Sequence, residues 1–239
     1  MVTDRAFPVA KIEWRKAVRI IRSAWPPIDL FEDIADPADW ALLISAEQKT
    51  NPRIVATIGN LDLVPPMRRV GGQGAAYLMA PFTHVSRDRP SRFTAGDYGV
   101  LYVARTFETA LFETIHHHSR FMARTGEAPG WTSQFREIVL DVAAGLHDLR
   151  ELGRDDAVLA PDDYAAAQAL SAQLRAEGSD GLVYPGVRDA DGECAGLFYP
   201  DGASNACQGR HLDYHWDGAR VDLVREAGTG RVFRLVEQG

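Results

Sequence analysis

The order in which helix and strand signals follow one another limits the folds open to this chain more than any other feature. Helical spacing comes first. Apolar residues recur at helical intervals through Lys11–Ser23, and Asp39 can cap a second helix over Trp40–Lys49. Ala75–Phe82 is a short apolar run that reads equally as strand or helix. Tyr98–Ala104 is aromatic and β-branched and reads as a strand. Thr106 then supplies an N-cap and Glu108 a first-turn acid for a helix over Phe107–Met122. Its Phe107, Ala110, Leu111, His118 and Met122 face the strand, while Thr109, Glu113, His116, His117 and Arg120 share the other face. Glu137–Val142 is a further strand. Asp162 or Asp163 caps a helix running to Glu177, with Gly178 as its C-terminal stop. Gly181–Val187 and Cys194–Tyr199 carry a hairpin signal around Asp191-Gly192; Ala219–Val224 and Arg231–Val236 carry a second, turning at Gly228–Gly230. Early helices followed by late short strands predict an α+β fold rather than regular βαβ alternation.

Composition bounds the function. The 239 residues carry a net charge of −7, with 46% hydrophobic and 25% charged side chains, which is globular usage. An acidic chain is poorly suited to gripping phosphate backbones, so direct nucleic-acid binding is not expected. The charge is uneven: residues 1–120 carry 15 basic and 13 acidic side chains, residues 121–239 carry 11 and 20. All but three of the bases (Lys11, Lys16, Lys49) are arginines, the side chain that forks around phosphate, although genome composition produces the same bias. No segment has the apolar length of a signal peptide core or a membrane span, and Cys194 and Cys207 are too few for a disulfide framework. These features predict a cytoplasmic protein with reduced thiols and no membrane partner. No repeat or linker divides the chain.

Most candidate motifs fail on their chemistry. Gly71-Gly72-Gln73-Gly74 lacks the Lys-Ser/Thr of a phosphate loop, and Tyr77 stands where a dinucleotide fingerprint needs its third glycine, so a flexible turn is expected. Consecutive helical residues point about 100° apart, so His116, His117 and His118 cannot close on one ion. His211 and His215 are four apart, which suits one helix face, but no Glu occupies a zinc peptidase's general-base position. No metal is expected. Arg92, Tyr102 and Glu113 remain, and a strand feeding a helix can gather them around one cleft. Arg offers a fork for a pyrophosphate, Tyr a ring to stack on nicotinamide or a base, and Glu a charge for an oxocarbenium-like centre. Such a trio also arises as a surface ion pair beside a core tyrosine.

The order of short segments adds a resemblance. Trp-Pro-Pro-Ile-Asp-Leu-Phe (25–31), Thr-Asn-Pro-Arg (50–53) and Met-Ala-Pro-Phe-Thr-His (79–84) come first. Ser-Arg-Phe (91–93), Gly-Asp-Tyr-Gly-Val-Leu-Tyr-Val-Ala (96–104), Glu-Thr-Ala-Leu-Phe-Glu-Thr (108–114), Asp-Gly-Leu-Val-Tyr-Pro-Gly-Val-Arg (180–188) and Gly-Glu-Cys-Ala-Gly-Leu-Phe (192–198) follow. Together they resemble the RES-domain family, toxins of bacterial type II toxin–antitoxin pairs. The resemblance implies a compact core like that of diphtheria-toxin-like ADP-ribosyltransferases, here residues 76–239, with 1–75 as a mainly helical N-terminal extension. It implies NAD as the consumed substrate and Arg92, Tyr102 and Glu113 as catalytic. Arg92, Tyr102, Tyr184, Gly186 and Arg188 are implied to bind NAD. It further implies ADP-ribose transfer to a protein target, with water or phosphate as alternative acceptors, and a cognate antitoxin that has a DNA-binding region. The chain departs from the pattern twice. Gly186 stands where the family has its serine, for which Ser204 is a candidate substitute, and Ser91-Arg92-Phe93-Thr94 stands where many members have Gly-Arg-Trp-Asn. Gly186 also motivates a competing reading, a binding module without catalysis; a hydrolase built on His211 and His215 is a third.

Overall fold

One long strand pairing organises the sheet. The computed structural model describes residues 5–23 and 58–234, and in it β1 (Val9–Arg22) runs antiparallel to β3 (Thr132–Asp148), from Val9 opposite His147 to Arg22 opposite Phe135. Lys11–Ser23 is therefore not the expected helix. The reason lies in a β-bulge between Trp14 and Ala17. A strand buries every second residue, as Ile12 and Trp14 do, and one inserted residue stretches the next interval to three. The interrupted alternation imitates helical spacing. Lys16 takes a left-handed φ of 58° at the bulge, and Asp141 of β3 holds it there. The Asp141 carboxylate accepts from Lys16 N–H at 3.0 Å, Arg15 Nη1 at 2.8 Å and Asn205 Nδ2 at 2.9 Å. Asn205, Lys16 and Arg15 together hold this carboxyl below its ordinary pKa.

Three short strands complete a ring. β2 (Leu101–Ala104) pairs antiparallel with β5 (Glu193–Leu197), which pairs with β4 (Gly181–Pro185), and β4 runs parallel to the end of β3. Val18 opposite Ala104 closes β1 onto β2. From β3 the sheet continues outward through β6 (Ala203–Trp216), β7 (Val221–Glu226) and β8 (Val232–Arg234), all antiparallel. Both expected hairpins, β4–β5 and β7–β8, are present. Helix α1 (Ala75–Thr83) packs Leu78, Met79 and Phe82 into a core with Leu101, Ile138 and Leu140. Helices α2 (Phe107–Thr125) and α3 (Ala165–Ala176) cover a second core holding Leu111, Leu170, Leu182 and Phe198. A mixed sheet with three helices among the described residues is an α+β fold, although its first element is a strand. Because β1 belongs to this sheet, the described part of residues 1–75 is not a mainly helical extension. The expected helix Trp40–Lys49 and the segments 25–31 and 50–53 lie outside the described residues. No helix among the described residues is long and apolar enough to cross a membrane.

Local chemistry sets the helix positions. Thr106 Oγ1 accepts from Thr109 N–H to cap α2, and Gly126 ends it at φ 69°. Asp163 accepts from Ala165 N–H just ahead of α3, and Gly178 follows that helix at φ 86°. The glycine run ends at Gly74, the N-cap of α1 (φ 78°). A Cβ there would stand 2.0 Å from Ala206 O, so this is a packed turn rather than a flexible one. His211 and His215 lie on β6, not on a helix. His211 meets Gln208, and His215 Nδ1 lies 2.6 Å from Asp222 Oδ1 on β7.

His118 is 5% exposed, stacked on Phe121 and edge-on to Phe135 and Tyr214. Burial, aided by the Arg22 charge, pushes its pKa down to about 4. The unfolded chain, with an ordinary value near ~6.5, then binds a proton the folded one refuses. Stability falls as pH drops from about 6.5 towards about 4, by up to ~1.4 kcal/mol per pH unit. His118→Phe should flatten this decline in urea unfolding measured across that window.

Candidate active site

The strand-to-helix unit forms one wall of a cavity of about 360 Å³. β2 contributes Tyr102, Val103 and Ala104; α2 contributes Ala110, Glu113, Thr114 and His117. Val18, Arg19 and Ile20 of β1, the strand beside β2, also line it, and Arg92, Tyr164, Tyr184 and Cys194 complete the lining. Of the expected site residues, Arg92, Tyr102, Glu113 and Tyr184 therefore converge. Gly186 and Arg188 do not line the cavity.

Glu113 is held from the loop that joins β4 to β5. Its Oε1 accepts from Val187 N–H at 2.9 Å and Arg188 N–H at 3.0 Å. Among the described residues, no donor to Oε2 is found. Arg188 thus meets the site through its backbone. Its guanidinium turns away, to His116 Nε2 (2.7 Å) and Pro161 O (2.7 Å).

Arg92 is 8% exposed. Its Nη1 donates to Ala160 O at 2.8 Å and Val158 O at 3.3 Å, and its guanidinium lies 4.8 Å from the Tyr164 ring. Arg19 donates to Tyr102 O at 3.3 Å, and its desolvated guanidinium is pushed down to about 10. Neither arginine pairs with a carboxylate among the described residues. Two unpaired guanidinium groups against the single carboxylate of Glu113 leave the lining net positive, which favours an anionic ligand.

Tyr102 does two things. Its ring lines the cavity and stacks on Phe93, with centroids 6.1 Å apart. Its hydroxyl accepts from Phe93 N–H at 2.9 Å and lies 2.8 Å from Ser91 Oγ, pinning the segment that carries Arg92. Burial pushes this phenol up to about 12. Tyr184 packs edge-on against Phe93 at 4.9 Å, and burial raises its pKa well above the ordinary value. The neighbouring Cys194 thiol is likewise raised, chiefly by burial. The three consecutive histidines diverge as helical geometry requires: His116 meets Arg188, His117 edges the cavity, and His118 enters the core. His117 keeps part of its surface in solvent, and its pKa is lowered by desolvation and by His116, Arg188, Arg92 and Arg120. Ser204 is no substitute for the missing serine, because it is exposed on β6 opposite Asp141.

Sequence reasoning missed Arg19, Tyr164 and His117 as cavity residues. Arg19 was hidden by the helical reading of β1. The signal available for His117 was its place on the polar face of α2.

The RES domain profile matches residues 66–217 of the chain. This protein belongs to the RES-domain family. The matched stretch starts after β1, yet β1 supplies one side of the RES-domain cavity. A curated relative, the uncharacterized protein y4oC of Sinorhizobium fredii (strain NBRC 101917 / NGR234), is 26% identical over 208 residues, covering 86% of this chain and 85% of that protein. A crystal structure of the M. tuberculosis MbcT–MbcA toxin–antitoxin complex aligns at 13% identity with a TM-score of 0.42, over 86% of this chain and 87% of that one. A likeness of that size decides nothing about function.

Tyr102→Phe keeps the ring and removes the acceptor for Phe93 N–H. It should cost about 1–2 kcal/mol of unfolding free energy, read from urea denaturation.

Proposed function

We propose that this RES-domain protein cleaves NAD at the nicotinamide–ribose bond and transfers ADP-ribose to a protein target. In this reading it is the toxin of a toxin–antitoxin pair, restrained by an antitoxin with a DNA-binding region. The observation that carries the chemistry is Glu113, with Oε1 anchored by two amides in a cavity shared with Arg19, Arg92 and three tyrosines. When the C1′–N bond breaks, its electron pair leaves with neutral nicotinamide and positive charge develops on the ribose. A fixed carboxylate lowers the energy of that charge without reorganising. The acceptor's lone pair then closes on C1′, and its proton passes to Glu113 or solvent. Arg92 and Arg19 offset the pyrophosphate charge, and Tyr102 offers a face for the nicotinamide ring. The partner and the toxic role rest on family membership.

Adenine-labelled NAD incubated with candidate acceptor proteins tests the reading, with products resolved by mass spectrometry. Label on protein with release of nicotinamide is expected. Nicotinamide with only free ADP-ribose or a phosphorylated ADP-ribose transfers the assignment to water or phosphate as acceptor. No nicotinamide from the wild-type protein overturns NAD cleavage itself. Glu113→Ala should slow nicotinamide release by about 100-fold or more. Arg19→Met should raise KM for NAD about tenfold, the scale of one lost charge-assisted hydrogen bond.

A further inference from the structure

The two amides that hold Glu113 need something to hold them. α2 offers it one turn away. Thr109 lies four residues before Glu113 on the same helix face, and both side chains reach the β4–β5 loop. Thr109 is fully buried, and its hydroxyl donates to Asp189 Oδ2 at 2.7 Å. Its single proton is thereby used, so Thr106 Oγ1, 2.8 Å away, is the donor in their mutual contact. The loop is cross-tied by Gly186 N–H to Gly192 O at 2.7 Å and Gly192 N–H to Asp189 O at 3.2 Å. Val187 and Arg188 lie between these ties, and their N–H groups point at Glu113.

Gly192 packs directly against this pair, and Gly186 against the loop backbone beside it. A Cβ on Gly192 would stand 2.6 Å from Asp189 Oδ2 and 2.6 Å from both Thr109 Oγ1 and Cγ2. A Cβ on Gly186 would stand 3.0 Å from Asp189 O and 3.3 Å from Thr109 Cγ2. At position 186 the space is taken by loop carbonyls, Asp189 O and Gly192 O, and by the Thr109 methyl group.

We propose that Thr109 and Asp189 are positioning residues that clamp the β4–β5 loop, so that the Val187 and Arg188 amides fix the Glu113 carboxylate. The kinetic part of the proposal rests on NAD cleavage by Glu113. A displacement of about 1 Å in a reacting group costs up to about 100-fold in rate, so a loosened loop should act on turnover.

The test compares Thr109→Val, Asp189→Ala, Asp189→Asn and Thr109→Ser in the full-length protein, with thermal melts to confirm folding. Thr109→Val and Asp189→Ala should lower kcat for nicotinamide release about 10- to 100-fold, leaving KM for NAD within about twofold. Thr109→Ser keeps the donor and Asp189→Asn keeps an acceptor, so both should retain most of kcat. Amide hydrogen exchange at Val187 and Arg188 should accelerate in the first two variants and not in the last two. Unchanged kcat and unchanged exchange in Thr109→Val or Asp189→Ala would overturn the clamp. A raised KM at constant kcat would also overturn it, by making these binding rather than positioning residues. Loss of kcat in Asp189→Asn with full kcat in Thr109→Val would instead make the Asp189 charge the active element. If the wild-type protein releases no nicotinamide, the NAD reading falls and the exchange measurement alone decides the clamp.

Discussion

The pairing of β1 with β3, pinned at its bulge by Asp141, is the constraint on which the rest depends. It closes the five-strand ring and brings Val18, Arg19 and Ile20 into the cavity lining with residues of α2. The bulge corrects the phase of β1 so that Ala17 continues the Ile12–Trp14 core while Val18 and Ile20 join the core under α2 and α3. Without the added residue, one half of the strand would present the wrong face to its core.

What the sequence made legible was local. Thr106 caps α2 as its position demanded, and the polar stripe of that helix became a line of working contacts. Thr109 meets Asp189, Glu113 the loop amides, His116 Arg188, and Arg120 Asp162. Arg92, Tyr102 and Glu113 could be grouped because a short strand followed by a capped helix leaves little freedom between them. β1 was not legible, because its bulge is chosen by Asp141, more than a hundred residues away in sequence. The use of Arg188 through its amide was hidden for a related reason: a backbone donor leaves no mark on residue type.

The acidic chain builds a cavity with more positive than negative side chains. Several acids are paired with arginines elsewhere: Asp148 with Arg150, Glu137 with Arg210, Asp213 with Arg225. Among the described residues, Arg19 and Arg92 are held by carbonyls, and Arg92 also by the Tyr164 ring, with no carboxylate partner. A carbonyl dipole orients a guanidinium without cancelling its charge, so orientation and residual charge coexist in the same side chain. Net charge alone therefore describes this protein poorly. The distribution of its acids is what leaves the cavity cationic.

The place of β1 in chain order has a consequence during synthesis. Arg22 pairs with Phe135, and at roughly 5–20 residues per second the ribosome takes on the order of 10 s to travel between them. Through that interval β1 carries Ile12, Trp14, Val18 and Ile20 with no sheet to receive them. Pairings this distant in sequence close slowly and late. The cavity, walled by β1 on one side and by β5 through Cys194 on another, takes shape only after most of the chain has emerged. Arg19, opposite Ile138 and bonded to Tyr102 O, cannot take its place until β3 has emerged.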